Sequence, residues 1–128
     1  MKEKLLIENL RKSYGHHVFA VDDISLSIKD GTFVSLLGPS GCGKTTTLRM
    51  IAGLETPPSG RILVDGKVLS EENKIVAPEN RGMGMVFQNY ALWPHMTVYD
   101  NVAYGLKLKK VPKDIIDKEV MEALRLID

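Results

Sequence analysis

Apolar positions along the chain recur in short runs, with a period of two in the front part and a helical period in the tail. Leu5 to Leu10 reads as a short strand. Ile24, Leu26 and Ile28 alternate with Ser25, Ser27 and Lys29, the period of a half-buried strand. Asp30-Gly31 is a hairpin-turn signal, and the more continuously apolar run from Thr32 to Leu37 predicts a buried strand after it. Leu48, Ile51 and Ala52 fall on one helical face, with Gly53 as a stop. The breaker cluster TPPSG (56–60) leads into RILVDGKVL, where Asp65-Gly66 predicts a second hairpin turn. Residues 70–82 read as polar loop, GMVF (84–87) as a brief buried strand, and Thr97 as a helix N-cap after a loop containing Pro94. From Asp114 to Asp128 the apolar positions Ile116, Val120, Ala123, Leu124 and Ile127 have helical spacing.

Interrupting these elements is GPSGCGKT, residues 38–45, which satisfies G-x-x-x-x-G-K-[ST] between an apolar run and a helix. Glycines allow the backbone to curl so that successive N–H groups form an anion nest, and the following helix adds its positive dipole end. Gly38, Ser40, Gly41, Cys42 and Gly43 are therefore the expected phosphate-facing loop. Lys44 is expected to reach the β- and γ-phosphates, the Thr45 hydroxyl to ligate Mg2+, and Thr46 to donate to the α-phosphate. ATP with Mg2+ is the cofactor this loop predicts, and the position of Cys42 suggests a thiol that nucleotide would shield from alkylation.

Composition narrows the setting. The 128 residues amount to one domain's worth of chain, and 44% hydrophobic with 26% charged residues is ordinary for a soluble globular protein. A net charge of +1 argues against a general nucleic-acid partner. No apolar run approaches the ~18 residues of a membrane span, and MKEKLLIENL is too charged for a signal peptide. The single cysteine, Cys42, makes no internal disulfide, in keeping with a reducing cytosol. No repeat, low-complexity tract or linker interrupts the chain. A GTPase reading fails because the only Asn-Lys pair, Asn73-Lys74, is followed by Ile75-Val76 without the aspartate of a guanine-reading motif. The arginines at 11, 49, 61, 81 and 125 are scattered, unlike the arginine-rich lid of a small-molecule kinase.

With these residues in view, the chain resembles the ATP-binding subunit of an ABC transporter, and most closely that of bacterial importers for sugars and related solutes. SYG (13–15) resembles the family's aromatic A-loop, GPSGCGKTT its P-loop, GLETPPSGRILVDG its post-helix turn and hairpin, and RGMGMVFQNYALWPHMTVYDNV (81–102) its Q-loop region. The resemblance implies an α/β P-loop NTPase of ABC-ATPase type: a mixed sheet with an antiparallel front and the start of a helical subdomain, the C-terminal part being absent. It divides residues 1–93, a β-rich ATP-binding core, from 94–128, the exit from the Q-loop and the beginning of the helical part.

The same resemblance implies roles. Tyr14 would stack on adenine. Gln88 would ligate Mg2+ or orient water, and so joins Lys44 as a catalytic candidate; an amide does this without changing charge. The apolar stretch Ala91 to Val98, with Trp93, Pro94 and Met96, would dock a helix of a transmembrane permease. Partners implied are permease subunits through residues 88–98 and a second ATPase subunit in a homo- or heterodimer. The location implied is cytoplasmic, peripheral on the inner face of the membrane. The basic run KLKK (107–110) reads as a solvated face.

Several groups that hydrolysis requires have no counterpart. ILVDG (62–66) ends in aspartate, but Gly66 stands where the water-polarising glutamate belongs. LRLID (124–128) is helical in spacing, LSEEN (69–73) is no signature loop, and His16, His17 and His95 come too early for the switch histidine. The expectation is a chain that binds nucleotide weakly and turns over little, with an apolar edge at 32–37 that invites self-association. Two other functions compete: a noncatalytic nucleotide-binding fragment, and a soluble ABC ATPase of DNA repair or translation.

Overall fold

A computed structural model describes residues 2–127, which cluster into two compact units divided between Met85 and Val86. The first is a five-stranded antiparallel sheet with one helix. Strands β1 (Glu3–Ser13), β2 (Phe19–Lys29), β3 (Ser59–Val64), β4 (Lys67–Glu71) and β5 (Lys74–Ile75) lie in the order β2-β1-β3-β4-β5. Helix α1 (Lys44–Ala52) follows the glycine loop.

The interior strand β1 runs beyond the Leu5–Leu10 stretch that the sequence predicts, and it carries a bulge. Ile7 and Leu10 are both fully buried, although an odd spacing would put them on opposite faces of a regular strand. Between them the register shifts against both neighbours, β2 and β3, and Asn9 takes φ 48°. The extra residue turns Leu10 inward. Ile7, Leu10, Val21, Met50 and Ile62 then form one core, with Leu5, Leu26 and Ile51 packed against it.

Asp65 and Gly66 both take positive φ, 50° and 76°, which matches the right-handed twist of the β3–β4 ribbon, so that turn is where the sequence predicts it. Residues 70–82, expected as loop, instead hold the end of β4, all of β5 and a short 3-10 turn at Pro78–Asn80. Helix α1 buries Thr47 and Met50, while Leu48 is exposed, so the apolar face expected from Leu48 is rotated. Gly53 ends it in a left-handed cap: the Gly53 N–H donates to Met50 O at 3.2 Å and the Leu54 N–H to Arg49 O at 2.9 Å.

Two expected strands are not formed. Residues 32–37 and 84–87 carry no strand among the described residues, and Phe33 and Leu37 are 93% and 99% exposed. A fully apolar strand gains its burial from neighbours on both faces and both edges, and no described strand pairs with either segment. The sheet present is antiparallel throughout.

The second unit is a helical pair. Helix α2 (Val98–Leu108) begins at Thr97, whose Oγ1 accepts from the Asp100 N–H at 3.0 Å, as the sequence predicts. Helix α3 (Lys113–Arg125) buries Ile116 and Val120 against Ala103 of α2, with Leu124 at the margin. Ile127 lies beyond the helix end and is exposed, and Asp128 falls outside the described residues. No helix among the described residues is long and apolar enough to cross a membrane.

Candidate phosphate-binding site

The glycine loop lies between the unpaired segment 32–37 and α1, and its geometry is dictated at Gly43. This residue is the N-cap of α1 at φ 91°, and a Cβ there would stand 2.0 Å from the Ala20 carbonyl of β2. Only glycine permits that approach, which seats the start of the helix directly on the sheet. Thr47 completes the seat: its Oγ1 donates back to Gly43 O at 2.8 Å.

Helix α1 differs from the other two helices at this end. It has no side-chain cap and no acidic residue in its first turn, whereas α2 has the Thr97 cap and Asp100, and α3 has Asp114. First-turn N–H groups without a capping oxygen, at the positive end of a helix dipole, suit an anion. Ser40, Gly41, Cys42 and Thr45 are exposed, Gly38 and Thr46 half-buried. Gly41 takes φ 80°, and the Cys42 N–H donates to Pro39 O at 3.3 Å, closing a tight turn.

Lys44 folds back over this turn. Its ammonium donates to Gly38 O and, at 3.0 Å, to Pro39 O, and lies 3.5 Å from the Cys42 sulfur. A cation, exposed hydroxyls and an uncapped helix start form a donor set that fits a triphosphate and its metal, and no carboxylate among the described residues bonds to these groups.

Tyr14 sits in the connection between β1 and β2, half exposed, in the same unit as the loop. The strand that follows it, β2, carries the Ala20 carbonyl that meets Gly43. Gln88 belongs to the other unit, exposed in a turn where the Tyr90 N–H donates to Phe87 O at 2.9 Å.

Three structural residues escaped the sequence reading. Arg81, read there as a scattered arginine and as the first residue of the 81–102 stretch, is buried and donates to five acceptors: the carbonyls of Val76 (2.8 Å), Met50 (3.3 Å), Ile51 (3.1 Å) and Leu69 (3.2 Å), and Ser70 Oγ (2.8 Å). Burial lowers its pKa, and the C-terminal carbonyls of α1 supply the compensating negative end of the helix dipole. Asn101 orders the loop before α2. Its Oδ1 accepts from the Trp93 N–H at 3.0 Å, and its Nδ2 donates toward the carbonyls of Trp93 (3.1 Å), Met96 (3.3 Å) and Thr97 (2.8 Å). The Trp93 ring meets Tyr104 at 4.5 Å, while Tyr90 and Leu92 are exposed. Glu55 joins Lys12 at 3.2 Å and Arg49 at 3.8 Å, a network no periodicity announces.

Comparison with known proteins agrees with this geometry. The family model for ABC transporters matches residues 21–128. The oligosaccharide import ATP-binding protein MsmX of Bacillus subtilis is 52% identical over 97% of the chain and 33% of its own length. The trehalose/maltose import ATP-binding protein MalK of Thermococcus litoralis is 57% identical over 86% of the chain and 30% of its own length. The chain thus spans about a third of the curated relatives it matches. Among solved structures, a dimeric ATP-binding cassette in a post-hydrolysis state with ADP and Pi superposes with a TM-score of 0.81 at 30% identity, covering 94% of this chain and 56% of that one. The cbiO1 protein of Clostridium perfringens, part of an ABC transporter complex, gives 0.78 at 33% identity, covering 98% and 50%. A glycine loop seated on an antiparallel sheet, the ordered motifs around it and these matches together place the chain in the ABC transporter family.

Proposed function

We propose that this chain is the nucleotide-gripping front of an importer's energy-coupling ATPase, and that it binds Mg-ATP through residues 38–46. The observation that carries the reading is the bare start of α1: no side-chain cap, no carboxylate in the first turn, and Lys44, Thr45 and Thr46 there instead. Lys44 would leave the Gly38 and Pro39 carbonyls for the terminal phosphates, and Thr45 would hold the metal. Tyr14 would stack on the base, and Gln88 would sense the metal and the attacking water. Magnesium supplies charge neutralisation on the phosphate oxygens when bound.

In the whole protein, residues 88–98 would meet a transmembrane permease at the cytoplasmic face, and two ATPase subunits would close on nucleotide. The importer relatives' names range over oligosaccharides, trehalose/maltose and sn-glycerol-3-phosphate, so the shared element is the energy step rather than the solute. Calorimetry of the chain with Mg-ATP tests the grip. Saturable, magnesium-dependent binding is expected, weakened by about 10- to 100-fold in Lys44→Ala, the loss of one or two charge-assisted hydrogen bonds. Absence of any magnesium-dependent heat would defeat the reading.

A further inference from the structure

The connection that carries Tyr14 is half exposed, yet the residue two before it is anchored from three directions. The Lys12 ammonium lies 5.4 Å from the centroid of the Tyr14 ring, 3.2 Å from the Glu55 carboxylate, and donates to Thr56 O at 3.1 Å. The side chains of Lys12 and Glu55 are 18% and 21% exposed, well below those of the surface pair Lys4–Asp65 at 46% and 44%. Screening by solvent is correspondingly weaker. Glu55 is held below the usual carboxylate range, by Lys12 first, with the Tyr14 hydroxyl and Arg49 acting in the same direction. Glu55 and Thr56 lie three and four residues beyond Ala52, the last residue of α1, so the anchor ties the Tyr14 connection to the segment that leaves the helix begun at the phosphate loop.

We propose that Lys12 is a positioning residue for the base platform: fixed by Glu55 and the Thr56 carbonyl, its ammonium covers one face of the Tyr14 ring and leaves the opposite face to the adenine. This inference rests on the nucleotide reading above. The cation does two things. It restricts the rotamers of a ring on an exposed connection, which removes ordering cost at binding. It also polarises the ring's π-system, strengthening stacking of an electron-rich base on the free face. Lys12 in this role touches neither phosphate nor metal.

The test compares two ligands on the same chain, Mg-ATP and Mg-tripolyphosphate, by calorimetry. Lys12→Met removes the charge and keeps most of the stem; it is expected to weaken ATP binding by roughly two- to fivefold, the range of an exposed cation–π contact. Tripolyphosphate affinity is expected to stay unchanged, which a general loss of folding would not allow. Lys12→Arg should restore most of the ATP affinity, and Glu55→Gln should lower it in the same direction as Lys12→Met. An unchanged ATP-to-tripolyphosphate ratio in Lys12→Met, or an equal fall for both ligands, overturns the proposal. Tyr14→Ala separates the two levels. If it erases the preference for ATP while Lys12→Met keeps it, only the Lys12 role falls; if wild type shows no preference for ATP, the stacking reading and the Lys12 role fall together.

Discussion

Replacing Arg81 by methionine should destabilise the first unit more than any surface change, and the structure allows the size to be worked out. The guanidinium serves five acceptors. Two of them keep another partner without it: Leu69 O still accepts from the Val76 N–H at 2.8 Å, and Met50 O from the Gly53 N–H at 3.2 Å. Val76 O, Ile51 O and Ser70 Oγ lose the partner seen here. At about 1 kcal/mol for each orphaned acceptor, the lower end of the usual range because a desolvated charge is removed at the same time, the loss is about 3 kcal/mol. An unfolding entropy of roughly 2.1 cal/mol/K per residue over the roughly 85 residues of the first unit converts this to a fall of about 17 °C in its Tm. Thermal unfolding followed by far-UV circular dichroism is the assay. Gly53→Ala sharpens it, because the added Cβ would stand 2.4 Å from Arg81 Nε. In the double variant the methionine chain, no longer held by five hydrogen bonds, can turn away from that Cβ, so the double variant should lose less than the sum of the singles. A Tm drop under about 3 °C for Arg81→Met, or strict additivity with Gly53→Ala, would refute the account of Arg81 as the tie between α1 and β4.

Trp93 is the only tryptophan in the chain, and Asn101→Ala should red-shift its emission and lower its anisotropy with helix content unchanged; an unaltered spectrum would show that the four amide contacts do not order the loop. Lys107 first, then the Thr97 hydroxyl, lower the pKa of Asp100, so its charge stabilises the second unit above the ordinary aspartate value of about 3.8 and that contribution is lost as pH falls through the lower folded value. An acid titration of Trp93 fluorescence should therefore shift in Asp100→Asn, and identical acid limbs would contradict this. The exposed residues Phe33 and Leu37 predict concentration-dependent self-association by light scattering, reduced in a Phe33→Lys, Leu37→Lys variant; a monomer at every concentration would count against it.

What the sequence alone determined was local: a glycine loop before a helix, the Asp65-Gly66 turn, the Thr97 cap, and the Ile116–Val120 stripe. Each depends on φ preferences, a capping oxygen or a helical period within a few residues, so nearest neighbours specify it. The order of the motifs around the loop likewise carried the family. Tertiary structure decided the rest. The bulge at Asn9 that turns Leu10 inward depends on both neighbouring strands, and the strand at 32–37 fails to form because an apolar run becomes a strand only where partners pair with it. Arg81 and Lys12 acquire their places from acceptors dozens of residues away, the carbonyls of Met50 and Thr56, which no periodicity in the chain can announce. A charged side chain reads as surface until folding brings carbonyls around it, and that encirclement is a property of the packed chain.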